Sequence, residues 1–365
     1  MNRLIAALLA ALFRRLAQPH PRPRPERVRS VLLVSTTGLG DTIISTGAVA
    51  LAGQAWPEAR LHLLVHQRWA ALFTACPRLA SIIPYPGKFK GVAGLVRRLR
   101  AIEPDLALVL HHNDPDVLPL VWLSRARHLV CREGTRFPFL LDTAVPLTDP
   151  RRHIAERRQD VVRAVAGDLP SLGLELFLPD ETRAWAEDFW RRAGIAPEER
   201  LIALNPGGSR QAKQWPAENW IALLRSLDGR PGSRTALLGS PAEEPAMRAL
   251  REAAGRPNLP LVAQGDVLRV AGLLARASAL VGPDSGLAHM AAALGVPEVV
   301  IFGPDNPILS GPLRNRAPAV ALGAGPEVCP DLFACHLKTC AHRRCLTAVT
   351  PERVIKALAE ELHVI

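Results

Sequence analysis

Short runs of apolar and β-branched residues recur along the first half of the chain, and longer amphipathic stretches separate them. Continuous apolar runs are typical of parallel strands that are buried on both faces, with helices forming the crossovers. The predicted strands are VLLVS (31–35), LHLLV (61–65), SIIP (81–84) and DLALVL (105–110).

A second series of the same kind follows residue 200, with predicted strands LIALN (201–205), TALLGS (235–240), LPLVAQ (259–264), ALVGPD (279–284) and EVVIFG (298–303). The charged helical segment 180–200 is predicted to connect the two series. We therefore predict an α/β protein with two doubly wound, Rossmann-like domains, 28–179 and 201–350, and a C-terminal helix, 351–365. In such folds ligands bind at the carboxyl ends of the strands, so we expect a cleft that faces both sheets.

The first 27 residues form a separate N-terminal extension. Leucines recur every four residues from Leu4 to Leu16, and the apolar run ends at Arg14 and Arg15. The run is too short to span a bilayer and lacks a signal-peptide cleavage site, so it predicts a helix lying on a membrane surface. A frayed extension is the alternative. The Pro-rich stretch PHPRPRPE that follows is predicted to be an extended linker.

Charge narrows the class of partner. The formal net charge of +11 and the sequence pI near 10.2 favour an anionic partner: nucleic acid, phospholipid or a phosphorylated small molecule. Aromatic residues make up only 5% of the chain, and no basic stretch is interleaved with aromatic residues that would stack bases. Nucleic acid is therefore not expected.

Four of the six cysteines cluster near the C-terminus with the spacing C-x5-C-x4-C-x4-C. Zinc sites usually contain C-x2-C or C-x4-C pairs, so packed thiols are favoured over zinc, which stays an alternative. A chain of this size is expected in a reducing cytosol. The residues concerned are Cys329, Cys335, Cys340 and Cys345, with His336 and His342 between them.

The loop TTGLGD follows the first predicted strand and precedes a helix expected to start near Thr42. It is neither a dinucleotide fingerprint nor a Walker A loop. Gly38 and Gly40 are expected to let the backbone turn sharply and approach a ligand. Asp41 is a candidate catalytic carboxylate, and the alternative is a helix N-cap.

Two loops of the second predicted domain have the composition of an anion site. LNPGGSRQAKQWP (204–216) combines a Gly-rich turn with Lys213, which suits phosphate, although an ordinary turn with a solvated lysine is the alternative. VGPDSGLAHM (281–290) places Asp284 and Ser285 at a helix start and His289 one turn later. A capping aspartate and a surface histidine would explain those residues singly.

Four blocks of sequence, in this order, resemble glycosyltransferase family 9, the heptosyltransferases of lipopolysaccharide assembly. The resemblance runs from about residue 28 to 360, and the blocks are STTGLGDTIISTGAVALAGQAWPEARLHLLV, LIALNPGGSRQAKQWPAENWIAL, LVGPDSGLAHMAAALGVPEVVIFGP and CHLKTCAHRRCLTAVTPERV.

The resemblance implies a GT-B fold and inverting glycosyl transfer without a metal or cofactor. It implies an ADP-heptose-like donor on the C-terminal domain and a lipid-linked saccharide acceptor on the N-terminal domain. The enzyme is then expected in the cytoplasm, peripheral on the anionic inner face of the inner membrane. A nucleotide-sugar epimerase of GT-B fold and a non-catalytic saccharide-binding relative are the alternatives, since fold analogy alone does not separate them.

The resemblance also assigns roles to residues. Asp41 matches the catalytic base, Lys213 is expected to neutralise charge on the leaving diphosphate, and either Glu243 or Glu244 is expected to contact the ribose. The acceptor loop comprises Thr37, Gly38 and Gly40. The donor-binding residues are Asn205, Gly207, Gly208, Ser209, Lys213, Glu243, Glu244, Asp284, Ser285, Gly286 and His289.

Overall fold

The computed structural model describes residues 27–111, 116–208, 210–313, 316–329, 332, 335 and 340–365. The chain divides into two compact units, one ending at Leu172 and the other starting at Gly173. The predicted N-terminal helix and the linker PHPRPRPE that follows it lie outside the described residues.

The first unit is built on a six-stranded parallel sheet with the order β3-β2-β1-β4-β5-β6. The central strand β1 is buried along its whole length because it is apolar on both faces, as the pattern of the sequence predicts. The strands are β1 Ser30–Ser35, β2 Arg60–His66, β3 Leu79–Tyr85, β4 Leu106–Val109, β5 Leu129–Arg132 and β6 Thr143–Val145.

Helices cover the first sheet. They are α1 Leu39–Ile44, α2 Thr46–Ala55, α3 Val92–Ala101, α4 Val117–Leu123 and α5 Ile154–Ala166, with 3₁₀ turns at Gln67–Phe73 and Pro138–Leu140. Helix α5 packs on α2, which directly follows α1, the helix that contains Asp41. One core cluster of this unit joins α3 and α4 to the sheet through Leu95, Leu99 and Val121.

The second unit repeats the design with the order β12-β11-β10-β7-β8-β9, again with parallel pairing throughout. The strands are β7 Arg200–Leu204, β8 Ser233–Gly239, β9 Leu261–Ala263, β10 Ala279–Pro283, β11 Glu298–Ile301 and β12 Ala319–Leu322. The helices are α6 Asp180–Arg192, α7 Ala217–Ser226, α8 Glu244–Ala253, α9 Val267–Ala275, α10 Gly286–Leu294, α11 Pro307–Ser310, α12 Arg344–Thr347 and α13 Pro351–Lys356. 3₁₀ turns lie at Gln211–Lys213 and Pro241–Glu243, and a π-helical turn at Ala357–Glu361.

Both sheets have the doubly wound strand order. When the strands of each unit are numbered from 1 to 6 in chain order, both sheets have the order 3-2-1-4-5-6. For the second sheet this order is read from β9 to β12. The strand order reverses between β1 and β4 and between β7 and β10, and ligands bind doubly wound sheets at the carboxyl ends of such strands. The predicted fold class is confirmed, and the loops that carry Asp41, Lys213 and Asp284 follow β1, β7 and β10.

The segment predicted as a connector, 180–200, is largely an integral helix of the second unit. Helix α6 packs on α9 so closely that a Cβ at Gly272 would lie 2.8 Å from the methyl group of Thr182. Trp190 is fully buried, and its indole donates to the carbonyl of Leu273. The division between the units falls seven residues before the predicted boundary at 179, and the backbone N–H of Leu176 donates to the carbonyl of Ala293 within the second unit.

The C-terminal helix also belongs to the second unit. Val354 and Leu358 are completely buried in a core that includes Trp215 and Trp220. The rings of these two tryptophans pack edge to face, with 5.0 Å between their centroids. Burial of one such aliphatic side chain contributes about 1.5–3 kcal/mol, so this helix stabilises the sheet that carries Lys213. Among the described residues, no helix combines the length and apolar character needed to cross a membrane.

Candidate functional site

Asp41 lies in helix α1, which follows β1 after a three-residue loop. Gly38 is the N-cap of α1, with φ of −64°, and Asp41 is the third helical residue. The alternative prediction that Asp41 is the N-cap is therefore wrong. Its side chain is 52% exposed, which leaves the carboxylate accessible at the carboxyl edge of the first sheet.

The glycines of this loop have ordinary backbone geometry. Gly38 has negative φ, and Gly40 is not among the glycines with positive φ. Neither glycine therefore depends on the left-handed backbone conformation, and the helix starts at Leu39, earlier than the predicted start near Thr42. A Cβ at Gly38 would meet nothing within 4 Å, so this glycine leaves open space above the loop.

A buried arginine holds the Asp41 carboxylate. Arg158 of α5 donates from one terminal nitrogen to Asp41 Oδ1 at 2.6 Å and from the other to Ser45 Oγ at 2.6 Å. Ser45 Oγ also lies 2.9 Å from Ser35 Oγ at the end of β1. Burial lowers the pKa of the Arg158 guanidinium, and the charge of Asp41 opposes that shift.

Arg158 was not predicted as a site residue, although the sequence contains a signal for it. The buried face of α5 includes Ala155, Arg158, Val161 and Val162, so an arginine occupies the apolar stripe of an amphipathic helix. Arginine is almost never fully buried unless it is paired. The position of Arg158 in the apolar stripe indicates that its guanidinium has a polar or charged partner, but it does not identify Asp41 as that partner.

Thr37 lies between Asp41 and the preceding strand. Its carbonyl accepts from Trp69 Nε1 at 3.1 Å and from Thr42 Oγ1 at 3.4 Å, which fixes the loop on the 3₁₀ turn that follows β2. Its hydroxyl is buried and bonds to none of the described residues. The neighbouring Thr36 hydroxyl lies 3.0 Å from Nε2 of His111, at the end of β4.

Asn205 ties three strand ends together in the second unit. Its amide nitrogen donates to the carbonyl of Leu238, its backbone N–H donates to the carbonyl of Val281, and Ser285 Oγ donates to its side-chain oxygen. This residue, predicted to bind the donor, fixes the loops after β7, β8 and β10 relative to one another.

Gly207 permits a close approach of Glu243 to the backbone. A Cβ at Gly207 would overlap the carboxylate of Glu243, which lies over the loop after β7. Gly208 is less constrained, since its Cβ would lie 3.4 Å from Gln214. Ser209, which was also predicted to bind the donor, lies outside the described residues.

Lys213 lies between two carboxylates. Its Nζ is 2.8 Å from Asp284 Oδ2 and 2.8 Å from Asp305 Oδ2, and its side chain is only 16% exposed. Burial alone would lower the pKa of Lys213, but the two carboxylates outweigh it and raise the pKa. Arg210 donates to both oxygens of Asp305 at 2.9 Å. The ammonium of Lys213 is therefore charged in the folded protein. Asp305 and Arg210 were not predicted as site residues from the sequence.

Asp284 also faces the predicted histidine. His289 Nε2 lies 3.6 Å from Asp284 Oδ1, an ion pair only when the imidazole is protonated. Ser285 is the N-cap of α10 and Gly286 its first residue, as the sequence predicts. The structure thus brings Lys213, Asp284 and His289 together at the carboxyl ends of β7 and β10.

The two candidate glutamates have different surroundings. Glu243 Oε2 accepts from the backbone N–H and the hydroxyl of Ser240, both at 2.8 Å, and lies against Gly207 and Gly239 at the strand ends. Glu244 instead pairs with Arg248, one turn along α8. Only Glu243 lies beside the glycine loop.

None of the six cysteines, all of which are among the described residues, forms a disulfide. Cys345 and Cys329 pack into or against the second core, and burial raises the pKa of the Cys345 thiol. Cys340 Sγ lies 3.5 Å from His342 Nδ1. His336 lies outside the described residues, and within the described part of the chain no three His, Cys, Asp or Glu side chains are grouped as metal ligands.

Known proteins share both the sequence pattern and the fold. A sequence model of glycosyltransferase family 9 (heptosyltransferase) matches residues 95–331. The chain is 28% identical over 363 residues to lipopolysaccharide heptosyltransferase 1 of Pseudomonas aeruginosa, which covers 90% of this chain and 96% of that protein.

Two solved structures have the same fold. The glycosyltransferase family 9 protein of Veillonella parvula superposes with a TM-score of 0.78 at 23% identity, covering 93% of this chain and 98% of that one. The ADP-heptose lipopolysaccharide heptosyltransferase II of Escherichia coli superposes with a TM-score of 0.74 at 21% identity, with coverages of 92% and 98%. Because the family match spans well over half of the sequence, the chain belongs to glycosyltransferase family 9, the heptosyltransferase family.

Proposed function

We propose that the protein transfers a heptose from an ADP-heptose donor to a lipid-linked saccharide of the lipopolysaccharide core. The names of its relatives supply the substrate classes: lipopolysaccharide heptosyltransferase in Pseudomonas aeruginosa and an ADP-heptose enzyme in Escherichia coli. The observation that carries the proposal is the buried ammonium of Lys213, held at the switch point of the second sheet beside the glycine loop.

In this proposal the second unit binds the donor. Lys213 and the loop of Gly207, Gly208 and Ser209 bind the diphosphate, because an ammonium and backbone N–H groups are suited to anions. Asp284, Ser285, Gly286 and His289 contact the sugar and phosphates. Glu243, rather than Glu244, contacts the ribose, since only its carboxylate lies at the strand ends.

Asp41 acts as the general base. Its carboxylate removes the proton of the acceptor hydroxyl while that oxygen forms a bond to the anomeric carbon. The bond from the anomeric carbon to the diphosphate oxygen breaks in the same displacement, and ADP leaves with the electron pair. The configuration at that carbon is therefore inverted. Lys213 offsets the negative charge that grows on the departing diphosphate.

We also propose that transfer requires no divalent cation. The Lys213 ammonium, within 2.8 Å of both Asp284 and Asp305, supplies the positive charge that a bound metal ion would otherwise supply to a diphosphate. Turnover is then expected to be unchanged by EDTA. Loss of activity in EDTA that returns on adding back a divalent cation would contradict this part of the proposal.

The acceptor implies a membrane surface. A lipid-linked saccharide is made available at the inner face of the inner membrane, and the net charge of +11 favours an anionic bilayer. We propose peripheral attachment there, with the N-terminal extension as the contact.

The direct test is transfer by the full-length protein. ADP-heptose is incubated with core saccharide that lacks heptose, and the acceptor is weighed by mass spectrometry while ADP release is followed. One added heptosyl unit for each ADP released is expected, with inverted anomeric configuration. A changed sugar nucleotide formed without acceptor would indicate an epimerase, and donor binding without turnover would indicate a non-catalytic relative.

A further inference from the structure

The Arg158 side chain is the most deeply buried charge beside the proposed base. Its side chain is only 5% exposed, whereas that of Asp41 is 52% exposed. An ion pair with one half-exposed member contributes little to stability, and an apolar residue would fill the site beneath it without the desolvation cost of a guanidinium. Stability alone therefore does not account for an arginine at this position.

The contacts of Arg158 fix the orientation of the carboxylate. A guanidinium is planar, so the direction of one terminal nitrogen determines that of the other. One is held by Ser45 Oγ, which is in turn hydrogen-bonded to Ser35 Oγ and to the backbone oxygen of Asp41. The other therefore meets Asp41 Oδ1 in a single geometry, and Oδ2 accepts a hydrogen bond from none of the described residues.

We propose that Arg158 is a positioning residue for Asp41: it anchors Oδ1 so that Oδ2 faces the acceptor hydroxyl. The inference rests on the proposed function, in which Asp41 is the base. Arg158 itself does not contact the substrate in this scheme. Its place in α5 couples the geometry of the base to the packing of α5 on α2.

The test compares Arg158→Ala and Arg158→Lys with a matched control in the same helix. Arg157→Gln is the control, because Arg157 donates to the carbonyls of Arg152 and Pro150 and not to Asp41. A misplaced catalytic group costs about 10²-fold, so kcat is expected to fall roughly 10- to 100-fold in R158A. R158K is expected to lose less, while the KM for ADP-heptose stays within about 2-fold because the donor contacts are unchanged.

Two further measurements separate positioning from a structural role. Low-millimolar guanidinium is expected to restore part of the activity of R158A and none of that of Asp41→Asn. In the background of Asp41→Asn, R158A is expected to have no further effect on kcat, because residues that act as a unit are not additive. A third variant, Ser45→Ala, keeps the arginine but removes its second anchor and is expected to lower kcat several-fold.

The inference is overturned if R158A turns over as fast as R157Q while Asp41→Asn is inactive. It is also overturned if R158A slows the Asp41→Asn protein as much as the wild type. Absence of any transfer by the wild type would instead contradict the proposed function. A double-mutant cycle of Arg158→Ala and Asp41→Ala in denaturant unfolding tests the contact without any turnover: Asp41→Ala leaves the buried guanidinium without its carboxylate, so a small coupling is expected, and strictly additive effects would contradict the inference.

Discussion

At the residue scale, the proposed role of Asp41 as the base predicts that its loss impairs chemistry and leaves donor binding intact. It lies in the first unit, whereas the proposed donor ligands belong to the second. Asp41→Asn keeps an oxygen for Arg158 to contact, so the fold is preserved while the base is lost. We expect kcat to fall by roughly 10²-fold or more with ADP affinity unchanged, measured by steady-state kinetics and calorimetry. Near-normal turnover would remove Asp41 from its assigned role.

Lys213 and Asp305 are expected to affect donor binding in opposite directions. Lys213→Ala removes the ammonium and leaves Asp284 and Asp305 facing the diphosphate, so ADP affinity is expected to fall by about 10-fold or more, the equivalent of a charge-assisted hydrogen bond. Asp305→Asn removes a carboxylate that competes with the diphosphate for Lys213, so affinity is expected to rise a few-fold. Calorimetric titration with ADP measures both, and weaker binding by D305N would show that Asp305 supports the site.

Glu298 makes stability depend on pH. Its carboxyl is completely buried, none of the described residues donates to its oxygens, and burial, followed by the charge of Asp284, raises its pKa well above 4.5. The native state therefore retains a proton that the unfolded state loses. The stability contributed by this group is complete below the unfolded pKa and declines as pH rises toward the folded pKa, by about 1.4 kcal/mol per pH unit.

Glu298→Gln removes the titrating carboxyl and with it the dependence of stability on pH. We therefore expect the melting temperature of the variant to exceed that of the wild type by more at pH 7.5 than at pH 5. Glu252→Gln, on the exposed side of α8, is the control and is expected to change neither value. A melting-temperature difference that is the same at both pH values would show that Glu298 does not titrate as described.

At the element scale, the junction of β8 and α8 decides which of the two candidate glutamates lies beside the glycine loop. The capping box on Ser240 turns Glu243 back over the strand ends, while the helical turn that follows points Glu244 toward Arg248. We expect Glu243→Gln to weaken ADP binding roughly 10-fold through loss of a charged acceptor, and Glu244→Gln to leave it unchanged. The reverse order of effects would transfer the ribose contact to Glu244.

The accuracy with which the sequence pattern predicts helices and strands differs from one element to another. The long apolar runs predicted nine strands within a residue or two, because strands buried on both faces have a distinctive composition. The strands β5, β6 and β12, of which β6 and β12 lie at sheet edges, are only three or four residues long and were not predicted individually. Helix α1 begins at Leu39, with Gly38 as its N-cap, so its predicted start near Thr42 was three residues too late.

At the scale of the whole molecule, charge and the N-terminal extension together predict reversible membrane attachment. Each basic group near an anionic surface contributes about 1 kcal/mol, and salt screens it. Removal of residues 1–27 is expected to reduce co-sedimentation with anionic liposomes, while transfer to a soluble, delipidated acceptor persists. Binding by the full-length protein is expected to weaken as ionic strength rises. Equal sedimentation of the full-length and truncated proteins would indicate that the extension does not contribute to membrane binding.

The sequence by itself determined the class of fold, the family and the positions of Asp41, Lys213, Asp284 and His289 shortly after the strands β1, β7 and β10, because apolar runs and loop motifs are local features of the chain. Tertiary structure alone decided that Arg158 meets Asp41, 117 residues away, and that Asp305 shares Lys213. It also decided between Glu243 and Glu244 as neighbours of the glycine loop. These contacts depend on which strands lie side by side and how closely helices pack, and no local pattern encodes them.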